Sequence, residues 1–248
     1  MEDHLNVIRT ELSDWKRRMN RNPSFAGAVS KKLQDRINAA IPQRVHDTIT
    51  TAIKQMTRAM IFGAELTTYA PLEDVVFEAR ETEVKRKVAI YIKTATAEGA
   101  ITGAGGILLG LADFPLWLAL KMKMLCEIAA LYGKDLTSVK ERIFILYIFQ
   151  LTFSSARSRK EVFKIIENWH EHEHQISEDI SAFDWQTFQQ EYRDFIDIAK
   201  LLQLVPGIGA AVGAVVNHRL TTKLAQNAAN AYRLRYFHSR EIEKSGRE

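Results

Sequence analysis

Two glycine-rich apolar segments, about a hundred residues apart, constrain this chain more than any other feature. The first, Gly99–Leu120, reads GAITGAGGILLGLADFPLWLAL, and the second, Leu201–Asn217, reads LLQLVPGIGAAVGAVVN. The first carries Gly103, Gly106 and Gly110 and then Asp113; the second carries Gly207, Gly209 and Gly213 and then Asn217. Gly106/Gly110 and Gly209/Gly213 are G-x-x-x-G pairs, a spacing that puts both glycines on one helix face, where another backbone can approach closely. Each segment ends in a short polar side chain and leads into a basic amphipathic helix, so the two resemble a weak internal repeat.

Three readings of these segments stand side by side. Two small-residue helices can cross tightly at the centre of a bundle. They can insert shallowly into a membrane surface. Or they can span it, against which Asp113 counts, because a charge near mid-bilayer costs several kcal/mol. The second segment is also shorter than the roughly 20 apolar residues a spanning helix needs. A dinucleotide loop is excluded: PGIGAAVG follows a helical stretch where that fingerprint needs a strand, and the Walker lysine is absent.

The remainder of the 248 residues reads as helix. Leu5, Ile8, Leu12 and Trp15 share one helical face, and Val45, Ile49, Ala52, Ile53, Met56 and Met60 share another. Helices are expected at Val29–Ala40, Gln43–Leu66, Pro71–Ala100, Leu116–Leu131, Ile143–Phe153, Val162–Gln175, Trp185–Gln203 and Val216–Phe237. Pro115 is expected to bend or split the first glycine segment, and Gly133 to cap the helix after it. Ser138/Glu141 and Ser158/Glu161 fit capping boxes. Glu81, Glu83, Lys85, Arg86 and Lys87 are placed on the wet side of their helix. No stretch shows the period-two alternation of a sheet, although Ile143–Phe149 has strand propensity.

The expected fold is therefore all-α: a single multi-helix bundle over 1–248, built around two central glycine-rich helices. Residues 1–68 form an N-terminal arm, 69–237 the core and 238–248 a basic tail.

Charge and chemistry narrow the function. A formal charge of +4 permits contact with acidic lipid or nucleic acid without arguing for either, and no nucleic-acid partner is expected. Residues 167–197 carry nine acidic side chains and one basic one, which reads as a solvated face. The single cysteine, Cys126, excludes an internal disulfide and reads as an inert buried thiol. The N-terminus begins acidic without an apolar stretch, so a cytoplasmic protein is expected. His170-Glu171-His172-Glu173-His174 matches H-E-x-x-H, with Glu167, His170, Glu171 and His174 on one helical face. Its polar flanks point to a solvated surface, and no third ligand follows, so a metal site here is a minor alternative. Neither a cofactor nor a catalytic residue is expected.

The segments GAGGILLGLADFPLWLALKMKMLCEIAALYG, FQLTFSS, DWQTFQQEYRDFIDIAKLLQLVPGIGAAVGAVVN and NAYRLR, with WKRRM and IPQRVHDTITTAIKQM before them, resemble the EcsC family in the same order and over nearly the whole chain. That family is named for its association with the Ecs ABC transporter of Gram-positive bacteria. The resemblance implies a bacterial cytoplasmic protein, peripheral at the membrane face, that accompanies a transporter; it implies no catalytic residues. The expected function is a non-enzymatic accessory protein that binds lipid or a membrane-protein partner. Basic residues near the glycine segments are the candidate contacts: Lys121, Lys123, Arg219, Lys223, Arg233 and Arg235. The alternatives are a metal-assisted hydrolase at His170, Glu171 and His174, and a bundle that binds a lipid or small molecule near Asp113, Pro115, Glu127 and Asn217.

Overall fold

A computed structural model describes residues 2–21, 43–62, 70–104, 106–154, 158–176 and 210–245, of which 2–4, 43–46, 62, 102–104, 106–112, 210–213 and 242–245 are described in backbone only. The elements are α1 (Glu2–Asn20), α2 (Gln43–Phe62), α3 (Phe77–Ala104), α4 (Gly106–Leu131), α5 (Val139–Phe153), α6 (Arg159–Glu167), the single turn α7 (Trp169–His172), a 3-10 turn Glu173–Gln175, and the long α8 (Ala210–Ser245). No strand occurs among the described residues, and the fold is all-α.

At the centre lies α5. Twelve of its residues are buried, including Ile143, Phe144, Ile145, Leu146, Ile148 and Phe149. A helix apolar on every side must be surrounded, and α2, α4, α6 and α8 surround it. That explains why Ile143–Phe149 is helix despite its β-branched and aromatic run: complete burial outweighs a propensity difference worth a fraction of a kcal/mol per residue. Trp15 meets Phe163 edge to face at 5.2 Å between centroids, so α1 joins the same core through Ile8, Leu12 and Trp15. Ile49, Ile53, Met56 and Met60 bring α2 into it.

Helices α3 and α8 pack antiparallel along their length. Arg233 meets Glu81 near one end, and Asn217 meets Ala95 toward the other. Helix α4 returns along α3, with Tyr132 beside Glu81 and Lys87 paired with Glu127. The bundle thus has a cap end, at Glu81, Tyr132, Gly133 and Arg233, and a glycine end, where α3 finishes and α4 and α8 begin.

Gly133 ends α4 as expected. Its φ is +75°, its N–H reaches the Ala130 carbonyl (2.9 Å), and the Lys134 N–H reaches that of Ala129 (3.0 Å). This is a Schellman cap. Arg80 closes it by donating from Nη1 to the Leu131 carbonyl at 3.1 Å.

Several sequence expectations are corrected. Helix α3 starts at Phe77, not Pro71, because Asp74 takes a left-handed φ of +50° that no α-helix accommodates. Helix α4 runs on through Pro115, whose ring is exposed, without a split. The stretch after Val162 breaks at Asn168 and tightens to 3-10 at Glu173. Neither Ser138 nor Ser158 makes a side-chain cap bond. Glu141 instead accepts from Tyr232 and Arg235 on α8. Glu81 is not on a wet face: it is 1% exposed. The helices expected at Val29–Ala40 and Trp185–Gln203 lie outside the described residues, as do Gly207 and Gly209. For Gly103, Gly106, Gly110 and Gly213 only the helical backbone is described, so what packs against them, and with it the expected close crossing, falls outside the described structure.

Two substitutions test this frame. A Cβ at Gly133 would stand 2.6 Å from Arg80 Nη1. Gly133→Ala is therefore expected to cost about 1–2 kcal/mol for the left-handed backbone, and more if Arg80 leaves the cap. Glu81→Leu leaves the Arg233 guanidinium buried without its main partner and should cost roughly 3–5 kcal/mol. Urea unfolding curves measure both.

Candidate functional site

The glycine end holds the residues that the sequence marks most strongly. Asn217, 5% exposed, ties three helices together. Its Nδ2 donates to the Ala95 carbonyl on α3 at 2.6 Å, and its Oδ1 accepts from Trp117 Nε1 on α4 at 2.7 Å. Thr221, one turn along α8, donates weakly to the same oxygen (3.4 Å). Trp117 is wedged between Phe114, stacked at 5.7 Å, and Phe153 of α5, edge-on at 6.0 Å. The polar residue that closes the second glycine segment thus bonds an indole four positions beyond Asp113, which closes the first.

Lys121 lies one turn inward from Trp117. It is 1% exposed, and its Nζ, 5.0 Å from the Trp117 ring centroid, has no hydrogen-bond partner. Burial pushes its pKa down to about 8, against the opposing pull of Glu98. Burial likewise raises the Glu98 carboxyl, and the charge of Asp113 adds to the rise, while Lys121 and a hydrogen bond with Asn217 oppose it. Glu98, Asp113, Asn217 and Lys121 therefore form one electrostatic cluster across three helices. The sequence pairs Asp113 with Asn217 but gives no hint of Glu98, which looks like an ordinary surface glutamate.

The other members of the expected pocket are elsewhere. Pro115 faces solvent. Glu127 is paired with Lys87; burial works to raise its carboxyl, but the hydrogen bonds from Lys87 and Tyr91 outweigh that and hold it below the usual range. A groove of about 520 Å³ does open between α1, α3 and α8, along Val84, Val88, Ala225 and Ala229, and none of the four expected residues lines it.

The six basic candidates divide. Lys123 and Arg219 are exposed. Lys121 is in the interior, Arg233 is 5% exposed and bonded to Glu81, and Arg235 is bonded to Glu141. Lys223 is part-buried and reaches the Thr152 carbonyl (3.4 Å). These four are placed by interior partners or by burial, which corrects their grouping as one surface set. The physical reason is that long cationic side chains lie along apolar surface and find buried acceptors at their tips.

The face expected of Glu167, His170, Glu171 and His174 is interrupted, because the helix breaks at Asn168 and tightens to 3-10 at Glu173. Trp169 and His172 pack with Tyr147, and His170 faces His238 at 4.2 Å between rings. Among the described residues no group of three His, Cys, Asp or Glu side chains gathers in metal-binding geometry. Burial pushes the Cys126 thiol up to about 12, which leaves it unreactive at neutral pH.

Sequence reasoning missed a line of buried polar residues along α8. Asn227 accepts from Trp15 Nε1 at 2.9 Å and donates to Thr152 at 2.9 Å, joining α1, α8 and α5. Arg233 gives Glu81 a two-point bond (3.0 and 2.6 Å), reaches Glu11 at 2.9 Å, and shares Glu81 with the Tyr132 hydroxyl. Burial opposes the charge on Arg233, and the bond to Glu81 more than offsets it, so its pKa rises. Only a partial signal was present in the sequence: Asn217/Thr221 and Asn227/Asn230 are each about one helical turn apart, but the six-residue gap between the pairs puts them on different sides of the helix.

These features define the class: an all-α bundle whose long last helix is fixed to its neighbours by buried polar side chains. The description "EcsC protein family" matches residues 7–237, and the chain belongs to the EcsC family. It is 41% identical to Protein EcsC of Bacillus subtilis (strain 168) over 230 residues, 92% of this chain and 94% of that protein. It is 30% identical to the uncharacterized protein YdbA of the same organism over 141 residues, 57% of this chain and 52% of YdbA. No solved structure matches.

Lys121 supplies the test of the cluster. Lys121→Met should raise stability by roughly 1–3 kcal/mol at pH 7, since it removes a buried charge without a hydrogen-bond acceptor. The sign follows from linkage. The folded pKa, about 8, lies below the ordinary 10.5, so the folded state sheds its proton first and the wild type gains stability as pH rises from about 8 toward 10.5. The advantage of Lys121→Met should therefore be full below about pH 8 and fade above it, as read by denaturant titrations at several pH values.

Proposed function

We propose that this protein is a non-enzymatic accessory protein of the Ecs ABC-transporter type, acting peripherally at the cytoplasmic face of the membrane, where it binds lipid or a membrane-protein partner. One observation carries the reading. Lys123 and Arg219 stand exposed just behind the two glycine segments. Neither 99–112 nor 201–217 contains a charged residue. Two long uncharged stretches, the first followed by the half-buried Asp113, with exposed cations at Lys123 and Arg219 that form no ion pair among the described residues, suit attachment to a membrane surface. No described helix is long and apolar enough to cross a membrane, which is compatible with attachment from one side. Membership of the EcsC family supports the transporter part of the reading.

Fractionation of cells that express the untagged chain tests it. The protein is expected to sediment with membranes at low ionic strength and to be partly released by high salt, because salt screens the cationic contribution and leaves the apolar one. A protein found wholly in the supernatant at low salt would overturn the reading.

A further inference from the structure

We infer that the glycine end is a bilayer-docking face: the helix ends enter the surface of an anionic phospholipid membrane to a shallow depth, and Lys93, Lys123 and Arg219 form the collar that meets the phosphates. The inference rests on the membrane-face reading above and narrows it to lipid as the partner.

Asn217 marks a common level across three helices. It bonds both Ala95 and Trp117, so residues 95, 117 and 217 lie at one height on α3, α4 and α8. Outward from that height the chain numbers rise on α3 and fall on α4 and α8. The exposed side chains on the outer side are Ala97 and Ile101 on α3, Pro115 and Leu116 on α4, and Val215 on α8. Ile101 is 70% exposed, Leu116 63% and Val215 49%. Every exposed residue described on this side of α3, α4 and α8 is apolar. Inward of the same height, Lys93, Lys123 and Arg219 are exposed, and none forms an ion pair among the described residues. On all three helices, which come from distant parts of the chain, the exposed groups outward of this level are apolar, whereas the inner side mixes the cations Lys93, Lys123 and Arg219 with Thr94, His218 and the apolar Ile90. Packing requirements inside the bundle do not explain that, since all these side chains point outward.

Dimensions favour shallow entry. Outward of the Asn217 level, the helical backbone continues to Ala104, Gly106 and Ala210, which at 1.5 Å per residue is about 10–16 Å. That suits the headgroup and upper acyl region and falls well short of the ~30 Å hydrocarbon core. The two carboxylates on this side, Glu98 and Asp113, are half-buried and not at the tip. Burial and Asp113 favour the neutral form of Glu98, and Lys121 lies against it from the inside. A protein partner fits less well. Its binding centre would call for aromatic anchors or hydrogen-bonding groups, and the exposed residues here offer small and aliphatic groups only.

The test is co-sedimentation of the full chain with vesicles of phosphatidylcholine alone or with about a third phosphatidylglycerol. Two triple variants are compared with the wild type: Ile101→Ser/Leu116→Ser/Val215→Ser and Lys93→Gln/Lys123→Gln/Arg219→Gln. All six positions are exposed, and thermal melting checks that the fold is kept. Lys164→Gln/Arg240→Gln, away from this end, serves as the control. The wild type is expected to bind anionic vesicles far better than neutral ones. The lysine and arginine variant should lose affinity on the order of a hundredfold at low salt, at about 1 kcal/mol per cation removed. The serine variant should lose the part of the binding that survives high salt, and the control pair should bind like the wild type. Equal binding to both vesicle types, unchanged binding by either triple variant, or an equal loss in the control pair overturns the inference. So does a protein that sediments with cell membranes but not with vesicles; that result leaves the membrane-face reading standing with a protein as the partner.

Discussion

The register of the bundle rests on one buried ion pair. Arg233 of α8 is held by Glu81 of α3 at two points, and the same Glu81 accepts a hydrogen bond from the Tyr132 hydroxyl at the end of α4, while Glu11 of α1 reaches the guanidinium from outside. Four parts of the chain meet there. A slide of α8 by one turn would leave two charges buried and unpaired, at a cost comparable to the whole stability of many domains. Apolar packing alone would not forbid that slide, because α8 presents alanines at Ala225, Ala228 and Ala231, and small residues tolerate many registers. Once Arg233 is fixed, Asn227 falls opposite Trp15 and Thr152, and Asn217 opposite Ala95 and Trp117. The polar residues give the helix a specific seat, and the alanines let it come close.

Against this fully bonded line, Lys121 is the exception. Asn217, Asn227, Asn230 and Arg233 all have hydrogen-bond partners, whereas the Lys121 amine has none and meets only the face of Trp117 and the field of Glu98. A cation over an indole recovers part of the desolvation cost but not the three hydrogen bonds an ammonium makes in water. Methionine would fill the same space at no such cost. The lysine weakens the bundle at the end where α3, α4 and α8 come together below the glycine segments, while the cap end is closed by the Schellman turn and the Glu81 node. Local opening, if it begins anywhere, is favoured at the glycine end.

Much of the fold was legible in the sequence, and the reasons for the misses are specific. The apolar faces of α1 and α2 and the stop at Gly133 follow from period and from backbone sterics, which are local properties. Asp74 was not legible, because nothing in the sequence compels a left-handed turn there. Glu81 read as solvated because its neighbours Glu83, Lys85, Arg86 and Lys87 are charged; its burial depends on an arginine 152 positions away. Arg233 and Lys121 read as surface cations for the same reason. A charged residue's fate is decided by its tertiary partner, and one sequence shows candidates for pairing without showing the pairs. At the candidate site, Asp113 and Asn217 stood out because each closes a glycine segment. Glu98 did not, and Trp117 appeared as one more apolar residue until its Nε1 was seen to bind Asn217.

The two glycine segments take on their meaning from this frame. Outward of the level set by Asn217 the exposed groups of α3, α4 and α8 are all apolar, and inward of it Lys93, Lys123 and Arg219 appear among them, beside Thr94, His218 and Ile90. That level has a physical basis. A buried asparagine satisfied by an indole and a backbone carbonyl needs a dry, packed surrounding to hold its bonds, so it marks the outermost layer at which the three helices are still tightly joined. Outside that layer the helices have fewer neighbours, and their side chains must suit whatever medium lies around them. A single exposed aliphatic side chain is ordinary on a protein surface, as Val76 at 69% exposure shows, and what sets Ile101, Leu116 and Val215 apart is that they project from the ends of three neighbouring helices. Their grouping there, with Lys93, Lys123 and Arg219 behind them, is the feature on which the proposed bilayer docking rests.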